Sequence, residues 1–235
     1  MPTAAKLPDA EAIAEEYKNY AYIISHDLSA PLRSILGFSR LLEEEMPETL
    51  TGDAKLYLDM VMQSGNKMQQ MMAGLLTFSR LNSLAKDFAL IDMNVVLEEC
   101  LADLQPVITA RQAKIEADTL PNITADKAQM VQLLSILIDN AIKFTPPDRV
   151  PQIHISVQSA GQNGQHFTLE DNGVGIAEKF RETVFQIFRR LHTENEYPGI
   201  GMGLALAKKI IARHGGEIWV TDSQFGGSTF HFTLI

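Results

Sequence analysis

Ser25-His26-Asp27-Leu28-Ser29-Ala30-Pro31-Leu32-Arg33 is the stretch on which the reading of this chain turns. Around it Tyr17, Ala21, Ile24, Leu28, Pro31, Ile35, Phe38 and Leu42 recur at alternating steps of four and three, the seam of a helix packed in a supercoiled bundle. With Ile24 and Leu28 at the d and a positions of the heptad, His26 takes the f position, pointing away from the partner helix, and Arg33 falls on the same outward stripe. Taken alone, such a histidine also fits a solvated surface residue of an ordinary bundle. Asp27 beside it can accept a hydrogen bond from one ring nitrogen, which fixes the tautomer and leaves the other nitrogen as a nucleophile. Pro31 has no N–H for the Asp27 carbonyl, so a local kink is expected beside the histidine.

Outward from that stretch, Ala10 to Glu16 is strong helix former leading into the same helix, and residues 1 to 8, with two prolines, read as a frayed start. A helix entering from the very N-terminus suggests a preceding sensor domain. Glu43-Glu44-Glu45-Met46-Pro47 and Thr51-Gly52-Asp53 end this helix and start another. The second helix has its own four-three seam at Tyr57, Val61, Ser64, Met68, Met71, Leu75 and Phe78. Two long helices joined by a short acidic loop make an antiparallel hairpin. One hairpin cannot bury both faces of its seam, so a homodimer forming a four-helix bundle is expected.

Composition limits what the chain can do. Its 235 residues suit two domains, and 46% hydrophobic with 21% charged residues is a soluble globular balance. A formal charge of −9 gives no general attraction to nucleic acid or to anionic lipid. The single Cys100 cannot form an intrachain disulfide, no zinc-ligand spacing is present, and no apolar run reaches the length of a membrane span. A reducing, cytoplasmic setting fits, with no membrane segment and no signal peptide.

After Asn82-Ser83 the pattern changes, placing a boundary between a helical domain over residues 1–84 and a mixed domain over 85–235. Phe88 to Asp92 is a short strand signal, Met93 to Ala113 is amphipathic helix, and Lys114 to Ala125 holds one or two strands. Asp126 is an N-cap for a helix running to Phe144. Gln152 to Ser159 and Gln165 to Asp171 alternate on either side of Gly161-Gln162-Asn163-Gly164, a hairpin signature. Gly201 to His214 is helical, and Gly216 to Thr221 and Ser228 to Leu234 close a sheet carrying helices on one side. The fold class is therefore an all-α hairpin followed by an α/β sandwich with a mixed sheet.

Three features of the second domain carry chemistry. Asn140 and Lys143 are i and i+3 neighbours on an otherwise apolar helix. A buried amide and ammonium need partners, which a polyphosphate with its magnesium supplies, although a lysine near a helix C-terminus also suits the dipole. Glu170-Asp171-Asn172-Gly173-Val174-Gly175-Ile176 follows a strand directly. A carboxylate at a strand end can accept from an exocyclic amine such as adenine's, and the glycines let a flat ring approach the backbone. Gly199-Ile200-Gly201-Met202-Gly203-Leu204 opens a helix whose free N–H groups can cradle phosphate. Between the last two, Phe185 to Pro198 has the composition of a charged lid pinned by Phe185 and Phe188.

The ordered set His26 to Pro31, Asp139 to Pro146, Asp171 to Ile176, Phe185 to Phe188 and Gly199 to Gly203 resembles the H, N, G1, F and G2 boxes of sensor histidine kinases. The likeness runs from about Glu15 to the end, and Phe188-Arg189-Arg190-Leu191-His192 is similar to the phytochrome-like branch. The resemblance implies a dimerising histidine hairpin and a gyrase-like ATP-binding domain, with autophosphorylation on His26 and transfer to an aspartate of a response regulator receiver domain. By the family pattern Asp27 assists His26, Asn140 holds Mg2+, Lys143 holds a phosphate and Asp171 binds the adenine amine. Gly173, Gly175, Gly201 and Gly203 shape the pocket and lid.

Three positions depart from the family pattern. Ile136 stands four residues before Asn140, where relatives usually carry another asparagine and related ATPases a catalytic glutamate. Activation of water is therefore not expected, and the departure leaves open an alternative in which the protein is a dimeric docking or phosphotransfer scaffold with weak or no catalysis. Ala30 stands where many relatives carry Thr or Asn for phosphatase action, and Ile200 replaces a frequent Thr.

Overall fold

The computed structural model describes residues 10–81, 86–159, 164–193 and 196–234, with side chains from Asp27 onward. Two compact units result, Met1–Ser83 and Leu84–Ile235. In the first, α1 (Ala10–Glu45) continues through Pro31 and stops just before the acidic Met46-Pro47 turn. α2 (Gly52–Arg80) returns alongside it as the second arm of a helical hairpin. Lys55 on α2 ties the two arms at the turn, donating to Glu43 and, at 2.8 Å, to Asp59.

The hairpin packs along a different row from the one the sequence pattern singles out. Leu32, Leu36 and Met72 form its buried cluster, with Ser39, Leu58, Gly65 and Ser79 also buried. Leu28, Ile35, Phe38 and Leu42 of the expected seam are exposed, as are Tyr57, Val61 and Met68. Gly65 explains the register: a Cβ there would sit 2.7 Å from Leu36 Cδ2 and 3.1 Å from Leu36 Cγ, so the arms approach closely at this glycine. The predicted seam is thus a second apolar face, displaced from the contact inside one chain. The side chains of Tyr17, Ala21, Ile24 and His26 lie outside the described residues.

In the second unit a two-stranded antiparallel ribbon pairs β1 (Ala89–Asp92) with β3 (Asn122–Ala125). α3 (Met93–Arg111) follows β1 directly, its first turn capped by Asp92. The main sheet is mixed, in the order β2-β4-β5-β7-β6. β2 (Lys114–Ala117) runs parallel to β4 (Gln152–Ser159), and β5 (Gln165–Asp171), β7 (Ser228–Leu234) and β6 (Ile218–Asp222) pair antiparallel. The tip of the β4–β5 hairpin, residues 160–163, lies outside the described residues.

Strand alternation sets the core. Ile153, Ile155, Phe167, Leu169, Phe230 and Phe232 point to one face, where the Phe167 and Phe232 rings stack with centroids 4.9 Å apart. Against that face lie α4 (Lys127–Lys143) and α5 (Gly203–Arg213) through Leu133, Leu137, Ile138, Ala207 and Ile210. Asp126 caps α4, accepting from Ala128 N at 3.1 Å and Gln129 N at 3.3 Å. α5 begins at Gly203 rather than Gly201, because Gly201 has φ +75° and cannot be helical. Its far end anchors the start of the unit: Phe88 stacks on buried His214 at 4.5 Å, and Arg213 donates to the Lys86 carbonyl at 2.9 Å.

Candidate functional site

A cavity of about 270 Å³ opens in the second unit where α4 ends, β5 ends and α5 begins. Three chain segments with no sequence proximity meet there, each at one end of a rigid element.

Asp171 closes β5 and is only 5% exposed. Its Oδ1 accepts from Gly173 N at 2.8 Å and Ser228 N at 3.1 Å, and among the described residues no hydrogen bond reaches Oδ2. Burial pushes the carboxyl pKa up, against the two backbone donors that pull it down. Gly173 permits the turn, since a Cβ would lie 2.9 Å from both Asp171 Oδ1 and the Phe144 carbonyl oxygen. Gly175, at φ +73°, carries the chain onward along the cavity wall. The preceding acid, Glu170, is occupied elsewhere, accepting from Ser223 Oγ and Gln224 N.

Asn140 and Lys143 line the opposite wall from the last turns of α4, both half-buried. The Lys143 ammonium rests 4.5 Å from the Phe144 ring centroid. Burial lowers its pKa, Asp139 one turn back opposes this, and the Arg190 guanidinium lowers it further. An ammonium crowded by desolvation and a second cation is a site short of negative charge. Across from it Gly201 and Gly203 bring the start of α5 close. A Cβ on Gly201 would lie 2.6 Å from the Arg189 carbonyl oxygen, and one on Gly203 would lie 3.2 Å from Ile136 Cγ2 and 3.8 Å from Asn140 Nδ2. Met202, the N-cap of α5, makes no side-chain cap, which leaves first-turn N–H groups for a ligand.

Within the expected lid, Phe185 is buried, and Tyr197 and His192 lean on Phe144 with centroids 5.0 and 6.0 Å away. Arg190 donates to the Tyr197 carbonyl at 2.9 Å. Residues 194 and 195 lie outside the described residues.

The cavity thus gathers Asn140, Lys143, Asp171, Gly175, Gly201 and Gly203, with Gly173 behind Asp171. His26 and Asp27 belong to α1 of the other unit; Asp27 is exposed and the His26 side chain lies outside the described residues. Gly227, in the turn before β7, packs directly against Asp171. A Cβ on it would sit 2.3 Å from Asp171 Oδ1. The signal was the doubled glycine: Gly226, at φ +89°, makes the turn, so Gly227 serves close approach instead. Phe144, His192 and Tyr197 were likewise missed as a cluster, because aromatic residues so far apart in sequence meet only in the fold.

Residues 125–235 match the family of histidine kinase-, DNA gyrase B-, and HSP90-like ATPases, and residues 18–84 match the His Kinase A (phospho-acceptor) domain. The chain belongs to the histidine kinases of two-component systems and carries both parts of a sensor kinase transmitter core. Phytochromes are among its relatives. It is 39% identical over 96% of its length to cyanobacterial phytochrome A of Nostoc sp., and 38% identical over 93% to the phytochrome-like protein Cph1 of Synechocystis sp.. The chain spans 29% of the length of each of these relatives. Full-length ShkA solved in complex with AMPPNP superposes with a TM-score of 0.65 at 26% identity, covering 92% of this chain and 45% of that one. Among the described residues no helix is long and apolar enough to cross a membrane.

Proposed function

We propose that the protein moves the γ-phosphoryl group of ATP to His26 and from there to an aspartate of a response regulator receiver domain, in the cytoplasm. The observation that carries the reading is Asp171: a buried carboxylate whose Oδ1 is held by two backbone donors, leaving Oδ2 to accept the exocyclic amine of adenine. Lys143 would take the phosphates, whose charge restores its ammonium, and the bare first turn of α5 would cradle them. Asn140 would hold Mg2+ through its amide oxygen. Among the described residues no cluster of three or more His, Cys, Asp or Glu is suited to a metal. That donor set fits an ion bound largely through substrate phosphates and water rather than in a protein cage.

In the transfer the free ring nitrogen of His26 attacks the γ-phosphorus, the bond to the β-phosphate oxygen breaks and ADP leaves, while Asp27 orients the ring or takes the imidazole proton. Such a reaction asks mainly for positioning and charge neutralisation, which suits a nucleophile and a donor built on separate units. The exposed row Leu28, Ile35, Phe38, Leu42, Tyr57, Val61 and Met68 supports pairing of two hairpins into a four-helix homodimer. The test is incubation with γ-labelled ATP and magnesium. Label stable to alkali, labile to acid and absent from His26→Gln is expected; acid-stable label, or label that persists in His26→Gln, overturns the proposal.

A further inference from the structure

The turn that holds Asp171 is itself clamped from behind, by a residue outside every motif. Arg149 lies in the loop between α4 and β4, exposed to solvent. Its Nη1 donates to the Asn172 carbonyl at 2.6 Å and to the Gly173 carbonyl at 3.4 Å. The Asn172 carbonyl belongs to the same peptide group as the N–H that Gly173 gives to Asp171 Oδ1, so the guanidinium holds that peptide from its carbonyl side while the carboxylate holds it from the amide side. Asn172, 6% exposed, locks the same turn to the sheet by accepting from Gln152 N at 2.9 Å and donating to the Val150 carbonyl at 2.9 Å. Val174 N then donates to the Phe144 carbonyl at 3.0 Å, and Arg111 donates to the Thr145 and Pro146 carbonyls at 3.0 and 3.1 Å. Arg149 and the Val174 amide thus tie the loop after β5 to the loop after α4, and Arg111 ties the loop after α4 to α3.

We propose that Arg149 is a positioning residue for base recognition: by binding the Asn172 and Gly173 carbonyls it holds Asp171 Oδ2 at the angle that selects a 6-amino purine. This rests on the reading of Asp171 as the purine-binding group. Charge-assisted bonds to carbonyls are stronger than neutral ones, and a hydrogen bond to the base rewards placement within a few tenths of an ångström. Among the described residues the side-chain hydrogen bonds of Arg149 go to the Asn172 and Gly173 carbonyls and not to Asn140, Lys143 or the start of α5, so its effect is expected at the base.

The experiment measures the affinities of ATP, ITP and inorganic tripolyphosphate, with magnesium, for the full 235-residue chain and its variants. ITP keeps the phosphates and replaces the 6-amino group by an oxo group. In Arg149→Ala the preference for ATP over ITP falls by roughly fivefold or more, tripolyphosphate affinity and the ligand-free melting temperature stay as in the parent, and Arg149→Lys restores most of the preference. An unchanged preference, or an equal loss for all three ligands with lowered melting, overturns the proposal. Should Arg149→Ala not fold, Arg149→Gln, which keeps the stem without the charge, carries the same expectation. Asp171→Asn separates the two claims. If it removes the preference while Arg149→Ala does not, only the role of Arg149 falls; if it leaves the preference intact, the base-reading role of Asp171 falls as well.

Discussion

The hairpin and the α/β unit solve the burial problem in opposite ways. In the α/β unit β4, β5 and β7 bury apolar rows, and residues such as Leu133, Ile138, Phe167 and Ile210 have no exposed surface. Its cavity is walled by its own chain. The hairpin instead buries a narrow cluster at Leu32, Leu36 and Met72 and leaves Phe38 68% and Tyr57 62% exposed. An exposed apolar row of that kind is the surface that the proposed pairing of two hairpins would cover. The globule walls its cavity within one chain, whereas the hairpin leaves an apolar row open to solvent.

Replacing Phe38 by Asp should separate the two regions most sharply. Burying each phenylalanine in a paired bundle is worth about 1.5–3 kcal/mol, and a symmetric dimer loses two, so self-association should weaken by two orders of magnitude or more. Nucleotide affinity should stay at the parent value. Sedimentation and nucleotide titration on the same samples check this; a dimer that survives the change shows that the exposed row is not the pairing surface.

A second difference is in pH. Burial and Arg190 set the Lys143 pKa below the ordinary lysine value of 10.5. Its folded value lies below its unfolded one, so stability contributed by this group is present above the unfolded pKa and is lost as pH falls through the folded pKa. Phosphate binding has the opposite sign, because it needs the ammonium. ATP affinity should therefore decline by up to about tenfold per unit as pH rises past the depressed pKa, short of the usual lysine range. Lys143→Met should flatten that limb. An alkaline limb unaffected by Lys143→Met assigns the titration to another group.

The smallest expected effect is at Ile136, whose methyl faces Gly203 on the cavity wall. Ile136→Asn puts a second amide beside Asn140, and one added hydrogen bond or ion contact is worth about 1 kcal/mol. Magnesium-dependent ATP affinity should rise roughly fivefold, while affinity in EDTA stays level. An equal change with and without magnesium would make Ile136 a packing residue only.

Periodicity revealed the elements themselves: α4 was legible from Asp126 as its cap, and β4, β5 and β7 from strict alternation. It did not reveal which apolar row of α1 meets α2. Leu28 and Leu32 lie one turn apart on the same helix and are chemically alike, so the choice between them depends on where Gly65 lets the second arm approach. Gly227 and Arg149 escaped notice for a related reason, since each acts on residues dozens of positions away through one close contact.

By itself the sequence determined where most of the helical and strand segments lie. Those follow from local propensity and periodicity, which act over a few residues. Only the tertiary structure decided which face of the hairpin is left uncovered, that both side-chain bonds of Asp171 among the described residues go to one carboxylate oxygen, and that Asn140, Lys143 and Gly203 share a cavity with it. Those depend on how separated segments meet, and close packing between distant parts of a chain is not written in any one of them.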